Sequence, residues 1–113
     1  MKEKSPVKGA RGSRTGRPIM ALLDLLGRRM TLRILWELST AQTPLTFRAL
    51  QEAADTNPSV LNTRLRELRE KGLVARREAG YVLTDVGRSL VTMIMPLHNW
   101  AESWPEHWEG QTS

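Results

Sequence analysis

Leucines recur at helical spacing in the middle of the chain and predict a helix that begins at Pro58. Asn57 is a suitable N-cap, and proline at the first helical position loses no hydrogen bond because that N–H has no partner within the helix. Leu61, Leu65 and Leu68 fall on one side of this helix. The opposite side is short, polar and basic, and its members are Ser59, Asn62, Thr63 and Arg66.

A short hairpin is predicted directly after this helix. Gly72 is expected to end the helix in a left-handed conformation, which glycine adopts at little cost. The next residues alternate as strands, with Leu73–Arg77 as the first and Tyr81–Thr84 as the second. We expect the three residues Glu78–Gly80 to form the turn between them.

Three further helices are predicted upstream. Pro18 opens the first, which ends near Gly27 and carries an apolar stripe of Ile19, Leu22, Leu23 and Leu26. The second, Thr31–Leu38, is apolar nearly all round, so we expect it to be buried at the centre. Leu45 is expected in a short edge strand, and Thr46 caps the third helix, which runs to Ala53.

The third and fourth helices are joined by a tight turn at residues 54–57, as in a helix-turn-helix, whose second helix lies in the DNA major groove. An ordinary helical hairpin with a solvated polar face is the alternative. The β-hairpin that follows, with arginines beside its tip, favours the DNA-binding interpretation. The predicted fold class is therefore mainly α with a small β-hairpin (α+β), a winged helix-turn-helix.

A long C-terminal helix is predicted after Thr84, its cap. Its apolar face consists of Leu90, Met93, Leu97, Trp100 and Trp104. Pro96 is expected to kink this helix and Pro105 to end it. The tryptophans could pack on the back of the domain, or they could form a dimer interface with the first helix, since large aromatic patches often mark interfaces.

Composition and charge narrow the choice of function. The length of 113 residues fits one domain, predicted over residues 18–113. Residues 1–17 hold six basic groups and one acidic group, which equals the net charge of +5 of the whole chain. We expect this segment to be a disordered arm that either solubilises the protein or contacts DNA phosphates.

Several classes of protein are disfavoured by what the chain does not contain. The absence of cysteine excludes disulfides, thiolate zinc sites and cysteine nucleophiles. No apolar run is long enough to span a membrane and no secretory signal is visible, so a cytoplasmic protein without a membrane partner is expected. His98, Glu102 and Glu106 have helical spacing, but Pro105 interrupts it and no further ligand completes a metal site. We expect no enzyme activity and no cofactor.

Four blocks of sequence together resemble a known family. They are Leu23–Leu32 followed by Ile34–Leu38; Leu45–Leu50; Pro58–Leu68 followed by Gly72–Val74; and Leu83–Leu90 followed by Trp100. In this order they are similar to the HxlR-type winged-helix transcription regulators of bacteria, which are related to the MarR group. The resemblance implies homodimers, built from the N- and C-terminal helices, that bind inverted-repeat operators. Met30 stands where the family usually has tryptophan, and the cysteine of its redox-sensing members is absent.

The predicted DNA contacts fall into two groups. Ser59, Asn62, Thr63 and Arg66 are expected to contact bases, with Asn62 suited to adenine and Arg66 to guanine. The candidates for phosphate contacts are Arg28, Arg29, Thr46, Arg48, Arg64, Arg76 and Arg77. The expected function is that of a homodimeric, sequence-specific regulator of transcription, acting as a repressor. The alternative is a winged-helix module that binds a partner protein.

A small apolar effector is a further expectation. It would enter between the first helices and the tryptophan stripe, where methionine and tryptophan supply adaptable walls. The wall residues are Met20, Met30, Trp36, Met93 and Met95. The alternative is that these residues simply belong to the core, as such residues more often do.

Overall fold

The computed structural model describes the backbone of residues 16–112 and the side chains of residues 16–106. The elements in chain order are α1 (Pro18–Leu26), α2 (Thr31–Thr40), α3 (Phe47–Ala54), α4 (Pro58–Glu70), β1 (Val74–Arg77), β2 (Gly80–Leu83) and α5 (Asp85–Thr112). The described residues are therefore mainly α with one small antiparallel hairpin, as predicted. Residues 1–15 of the predicted arm lie outside the described residues.

Side-chain caps fix where three of the helices begin. Thr46 Oγ1 accepts a hydrogen bond from the N–H of Ala49 at 3.1 Å, and Asn57 Oδ1 accepts one from the N–H of Val60 at 2.8 Å. Thr84 Oγ1 accepts from the N–H of Gly87 at 3.0 Å. Each cap satisfies an N–H that has no partner within its helix. All three predicted caps are confirmed.

The hairpin is one residue tighter than predicted. Val74 pairs with Leu83 at its base and Arg77 with Gly80 at its tip, so two residues form the turn instead of three. Gly80 joins the strand at a φ of 141°, a conformation that side chains disfavour. A Cβ there would lie 2.5 Å from the carbonyl oxygen of Leu45, whose backbone forms a single bridge to Tyr81. The predicted edge strand at Leu45 is thus one bridge long.

The core lies where α2, α3 and α4 meet the hairpin and the start of α5. Its fully buried side chains are Thr31, Ile34, Leu35, Leu50, Leu61, Leu65 and Leu68. α2 is buried at the centre through Thr31, Ile34, Leu35 and Leu38, as predicted, but one part of its surface is not covered. Leu32 is 47% exposed and Trp36 is 38% exposed. α3, β2 and α5 all contact α2, and Leu32 and Trp36 line a groove that lies between α2 and α5.

α5 continues through both of its prolines. It runs unbroken to Thr112, so the prediction that Pro105 ends it was wrong. A proline removes one N–H donor from the helix, and the bonds on either side of it can still hold the helical backbone. Trp100 and Trp104 stack on each other with ring centroids 5.8 Å apart and are exposed rather than packed on the back of the domain. The side chain of Trp108 lies outside the described residues.

Candidate nucleic-acid interface

The polar face of α4 is open to solvent. Ser59, Asn62 and Arg66 are exposed, and Thr63 is half-buried. The opposite face of the same helix carries Leu61, which is fully buried in the core. The core thus fixes the helix, and the four residues predicted to contact bases project together from its outer side.

The turn between α3 and α4 sets the angle at which α4 is presented. Asp55 adopts a left-handed conformation with a φ of 54°, and its N–H donates to the carbonyl of Glu52 at 3.2 Å. The N–H of Thr56 donates to the carbonyl of Gln51 at 3.3 Å. These bonds end α3 within one residue and let Asn57 begin α4. The predicted helix-turn-helix is therefore present.

Four of the arginines predicted to contact phosphates are accessible. Arg29, Arg48, Arg76 and Arg77 are all exposed. Arg48 forms a long ion pair of 3.9 Å with Glu52, which is also exposed, so it can turn toward another anion at little cost. Arg76 lies 5.8 Å over the ring of Tyr81. Their roles in DNA binding stay predictions.

The other two predicted arginines are already bonded within the protein. Arg28 pairs with Asp24 at 2.8 Å and with Glu67 at 3.0 Å, and Arg64 pairs with Glu67 at 3.0 Å. The hydrogen bond that Arg28 donates to Asp24, with a further contribution from Glu67, raises the pKa of Arg28. Arg64 also donates from Nε to the carbonyl oxygen of Arg29 at 2.8 Å. Thr46, the remaining predicted phosphate contact, uses its hydroxyl oxygen as a helix cap.

Arg69 was not among the predicted site residues. It is exposed on α4, and together with Arg66 and Arg76 it lines a groove of about 450 Å³ between α4 and β1. Glu70 lies in the same groove. Helical spacing could have indicated Arg69, because it continues the face of Asn62 and Arg66 by one more turn.

The residues predicted for a dimer interface form two exposed apolar faces. Ile19 and Leu23 of α1 and Met93, Leu97, Trp100 and Trp104 of α5 are exposed. Leu22 is half-buried, and Leu26 and Leu90 pack partly against the core of their own chain. The exposed members are large apolar side chains in contact with water, which is typical of an interface in a protein of this size.

A groove of about 520 Å³ lies between α2 and α5. Of the five walls predicted for an effector site, Trp36 and Met95 line this groove. Met30 packs against the core instead, and Met20 and Met93 are exposed elsewhere. Trp36 stacks on His98 at the mouth of the groove, with ring centroids 5.3 Å apart.

The described acidic and histidine side chains of α5, which extend to Glu106, do not form a metal site. His98 Nε2 lies 3.7 Å from a carboxylate oxygen of Glu102. In the described part of the chain, no three His, Asp or Glu side chains are grouped so as to hold a metal ion. None of the helices there is both long and apolar enough to cross a membrane.

Comparisons with known proteins agree with this geometry. The model of the HxlR-like helix-turn-helix family matches residues 25–109, about three quarters of the chain. A search of curated proteins gave no match.

Solved structures of HxlR and MarR family proteins are also similar to this chain. A possible HxlR family transcriptional factor from Thermoplasma volcanium is 26% identical, with a TM-score of 0.70 over 80% of this chain and 86% of that one. Quinone-bound YodB from B. subtilis is 27% identical, with a TM-score of 0.69 over 75% and 96%. The MarR family protein Rv2887 of Mycobacterium tuberculosis is 25% identical, with a TM-score of 0.60 over 85% and 90%.

Proposed function

Because the chain belongs to the HxlR-like helix-turn-helix family and is a DNA-binding transcriptional regulator, we propose that it represses transcription as a homodimer bound to an inverted-repeat operator. The predicted winged helix-turn-helix class is confirmed by the same matches. One observation carries the proposal for DNA recognition: α4 is fixed by buried leucines on one side and presents polar, basic side chains on the other.

Base recognition is assigned to the exposed face of α4. Asn62 can donate to and accept from the edge of adenine, and Arg66 can donate two hydrogen bonds to guanine. Thr63 can place its methyl group against that of thymine, and Ser59 can bond to either type of base edge. A major groove is wide enough to admit the helix that carries them.

Phosphate contacts are assigned to the exposed cations around that face. Arg48 lies on α3, the helix before α4, whereas Arg76 and Arg77 lie on the hairpin that follows α4. Such contacts fix the position of the protein on the duplex without reading its sequence. Arg29 is a further candidate at the turn after α1. Arg17 belongs to the predicted N-terminal arm. We propose that this arm contacts the neighbouring groove of the DNA.

Dimer formation is supported by the apolar faces of α1 and α5. A second copy would cover the side chains that the single chain leaves in water. Because these side chains are about half exposed, each would contribute roughly half of the ~1.5 to 3 kcal/mol that full burial supplies. Two copies related by a twofold axis would present two α4 helices to half-sites about 34 Å apart. A dimer seated on an operator excludes other proteins from that DNA, which is sufficient for repression.

The decisive experiment is enrichment of DNA from a random duplex library, followed by titration of the enriched duplex and a scrambled one. Asn62→Ala should relax the preference at one base position, with a loss of about 1 to 3 kcal/mol on the enriched duplex alone. Arg48→Ala should weaken both duplexes equally and reduce the slope of log affinity against log salt by about 1.8, because the dimer loses one phosphate contact, worth about 0.9, from each subunit. If each variant lost the same binding free energy on both duplexes, the assignment of base contacts to α4 would be contradicted.

A protein-interaction module is the second candidate, favoured by the near-neutral charge of residues 18–113. Salt distinguishes the two functions. Binding to DNA releases counterions, so affinity should fall steeply as salt is added, whereas a protein contact of ordinary polarity should weaken less. No enrichment of any duplex, with salt-insensitive capture of a protein, would favour this candidate.

The groove between α2 and α5 is the proposed place for a small apolar effector. Trp36 and Met95 give it an adaptable apolar wall, and its volume of about 520 Å³ lies in the range of small-molecule sites. One of the similar structures is described as quinone-bound, which is compatible with this class of ligand. Titration with small aromatic compounds should change the tryptophan fluorescence of the wild type until the change saturates. In Trp36→Phe the size of this fluorescence change should be smaller. A response that persists unchanged in Trp36→Phe would place the ligand elsewhere.

A further inference from the structure

We propose that Glu67 is the centre of an ion-pair network that sets the orientation of α4 relative to α1, and thereby the distance between the two half-sites that a dimer can bind. In this network Arg28 and Arg64 are positioning residues and do not contact phosphates. The proposal rests on the proposed function, because it concerns how the DNA-reading helices are spaced.

Glu67 lies on α4 but not on its DNA-reading face. Its two carboxylate oxygens bind different arginines: Oε1 accepts from Arg64 of the same helix at 3.0 Å, and Oε2 pairs with Arg28 at 3.0 Å. The Glu67 side chain is 19% exposed and that of Arg64 is 18% exposed, so water screens this pair less than a surface pair. A half-buried carboxylate with both oxygens engaged holds its partners in a defined geometry.

The network continues from α4 to α1 and to the turn that follows it. Arg28 Nη2 donates to Asp24 of α1 at 2.8 Å while its Nη1 pairs with Glu67. Arg64 Nε donates to the backbone carbonyl of Arg29 at 2.8 Å. Glu67 and Arg64 of the recognition helix are thus bonded to a side chain and a carbonyl of the turn after α1.

That turn is itself an unusual conformation. Met30 has a φ of 73°, in the left-handed region that residues other than glycine rarely occupy. It is held there by bonds on both sides, since the N–H of Thr31 donates to the carbonyl of Arg28 and the N–H of Ile34 donates to the carbonyl of Met30. A strained turn persists when its surroundings determine it, and the bonds from α4 are part of those surroundings.

The bonding of Arg28 and Arg64 also argues against phosphate contacts. Each guanidinium already binds carboxylate, and Glu67 between them would repel an approaching phosphate. Arg48, by contrast, is 89% exposed and holds Glu52 at 3.9 Å only. Arg48 is therefore an accessible cation for the DNA backbone. The ion pairs of Arg28 and Arg64 with Glu67 have a structural role.

The orientation of α4 has a direct effect on spacing. Half-sites of a dimer lie about 34 Å apart, so each α4 lies about 17 Å from the twofold axis. Rotation of one subunit by about 10° over that radius moves its α4 by about 3 Å, close to the rise of about 3.4 Å per base pair. α1 carries one of the exposed apolar faces proposed for the dimer, so a change in its angle to α4 displaces α4 relative to its half-site by a distance of this size.

The experiment measures the affinity of each variant for the enriched inverted repeat and for versions with one base pair added to or removed from the spacer. Glu67→Gln should change the ratio of affinities between spacers by about fivefold or more, as is typical of coupled sites. Its salt slope should stay that of the wild type. Arg28→Gln should do the same. Glu70→Gln removes the same charge from an exposed position of α4 outside the network. Because Glu70 lies in the groove with Arg66, this variant should change the affinity for all spacers by the same factor and leave their ratio unchanged.

Arg48→Gln is the control for a phosphate contact, with a salt slope lower by about 1.8 for the two subunits and an unchanged spacer preference. If Glu67→Gln does not fold, Asp24→Asn loosens the network from α1 and should shift the spacer preference in the same way. An Arg28→Gln variant that lowers the salt slope and keeps the wild-type spacer preference would overturn the inference. A wild type that enriches no duplex would instead refute the proposed function itself, and the inference with it.

Discussion

The junction between the hairpin and α5 depends on the absence of one side chain. Gly87 lies in the first turn of α5, and a Cβ there would lie 2.0 Å from the carbonyl oxygen of Leu73. This is 1.4 Å short of the 3.4 Å at which ordinary contact begins, and the atom it meets belongs to the backbone. Gly87→Ala must therefore displace α5 or the start of the hairpin by about 1 Å.

Three hydrogen bonds lie at the same junction and would be disturbed together. Thr84 donates from its N–H to the carbonyl of Leu73 at 3.1 Å and from its hydroxyl to the carbonyl of Gly72 at 2.6 Å. It also accepts from the N–H of Gly87. Overpacking of this kind costs about 1 to 3 kcal/mol, occasionally more. Weakened hydrogen bonds add about 1 kcal/mol each, against about 1 kcal/mol gained from replacing glycine by alanine in a helix.

We therefore expect Gly87→Ala to lower the free energy of unfolding by about 3 kcal/mol, measured by urea denaturation at one fixed protein concentration. Gly72→Ala is the matched control on the other side of the junction. Gly72 has a φ of 76°, and none of the described atoms lies within 4 Å of the position that an added Cβ would take. Only the left-handed conformation then costs energy, about 1 kcal/mol. Equal losses in the two variants, or a stable Gly87→Ala protein, would refute the close approach of α5 to Leu73.

Three further predictions use other parts of the structure. Thr46→Ala should lower stability by about 1 kcal/mol in urea denaturation, and Thr46→Asp should retain it, because aspartate also caps a helix. Leu61→Ala should cost about 2 to 5 kcal/mol, whereas Leu32→Ala, at a position 47% exposed, should cost well under half as much. Met93→Glu places a charge in the proposed interface, so its sedimentation should shift toward that of the monomer. Asn99→Glu, on another face of α5, should not shift it. A Met93→Glu protein that remains a dimer would exclude α5 from the interface.

The local features of the fold could be predicted because neighbouring residues determine them. The caps at Thr46 and Asn57 and the buried face of α4 follow from residue type and helical spacing, and the structure confirms them. The exposure of Trp36 could not be predicted in the same way. An apolar residue on an apolar helix is buried only if another element reaches it, and the positions of those elements are set by the whole chain. Pro105 shows the same limit, since a proline can end a helix or remain within one.

In the candidate site, too, features set by local spacing could be predicted, and features set by long-range packing could not. The exposure of Asn62 and Arg66 follows from their spacing against the leucines of α4. The pairing of Arg28 with Glu67 does not, because the two residues are far apart in sequence and meet only when α4 packs beside the turn after α1. From the sequence alone, all of these arginines are therefore equally good candidates for phosphate contacts. The structure distinguishes them, because Arg28 and Arg64 form ion pairs within the protein and Arg48 stays accessible.

In the proposed dimer, different parts of the chain determine which bases are read and how far apart the half-sites lie. The reading face of α4 is fixed within one chain, because its leucines are fully buried and its cap is internal. In the proposed dimer, the distance between two such faces depends instead on exposed apolar helices and on the network around Glu67. The groove between α2 and α5 is lined by Leu97 of α5 and by no residue of α4. A ligand there would therefore change which spacer is preferred while leaving the preferred bases of each half-site unchanged, a difference that enrichment with and without the ligand measures directly.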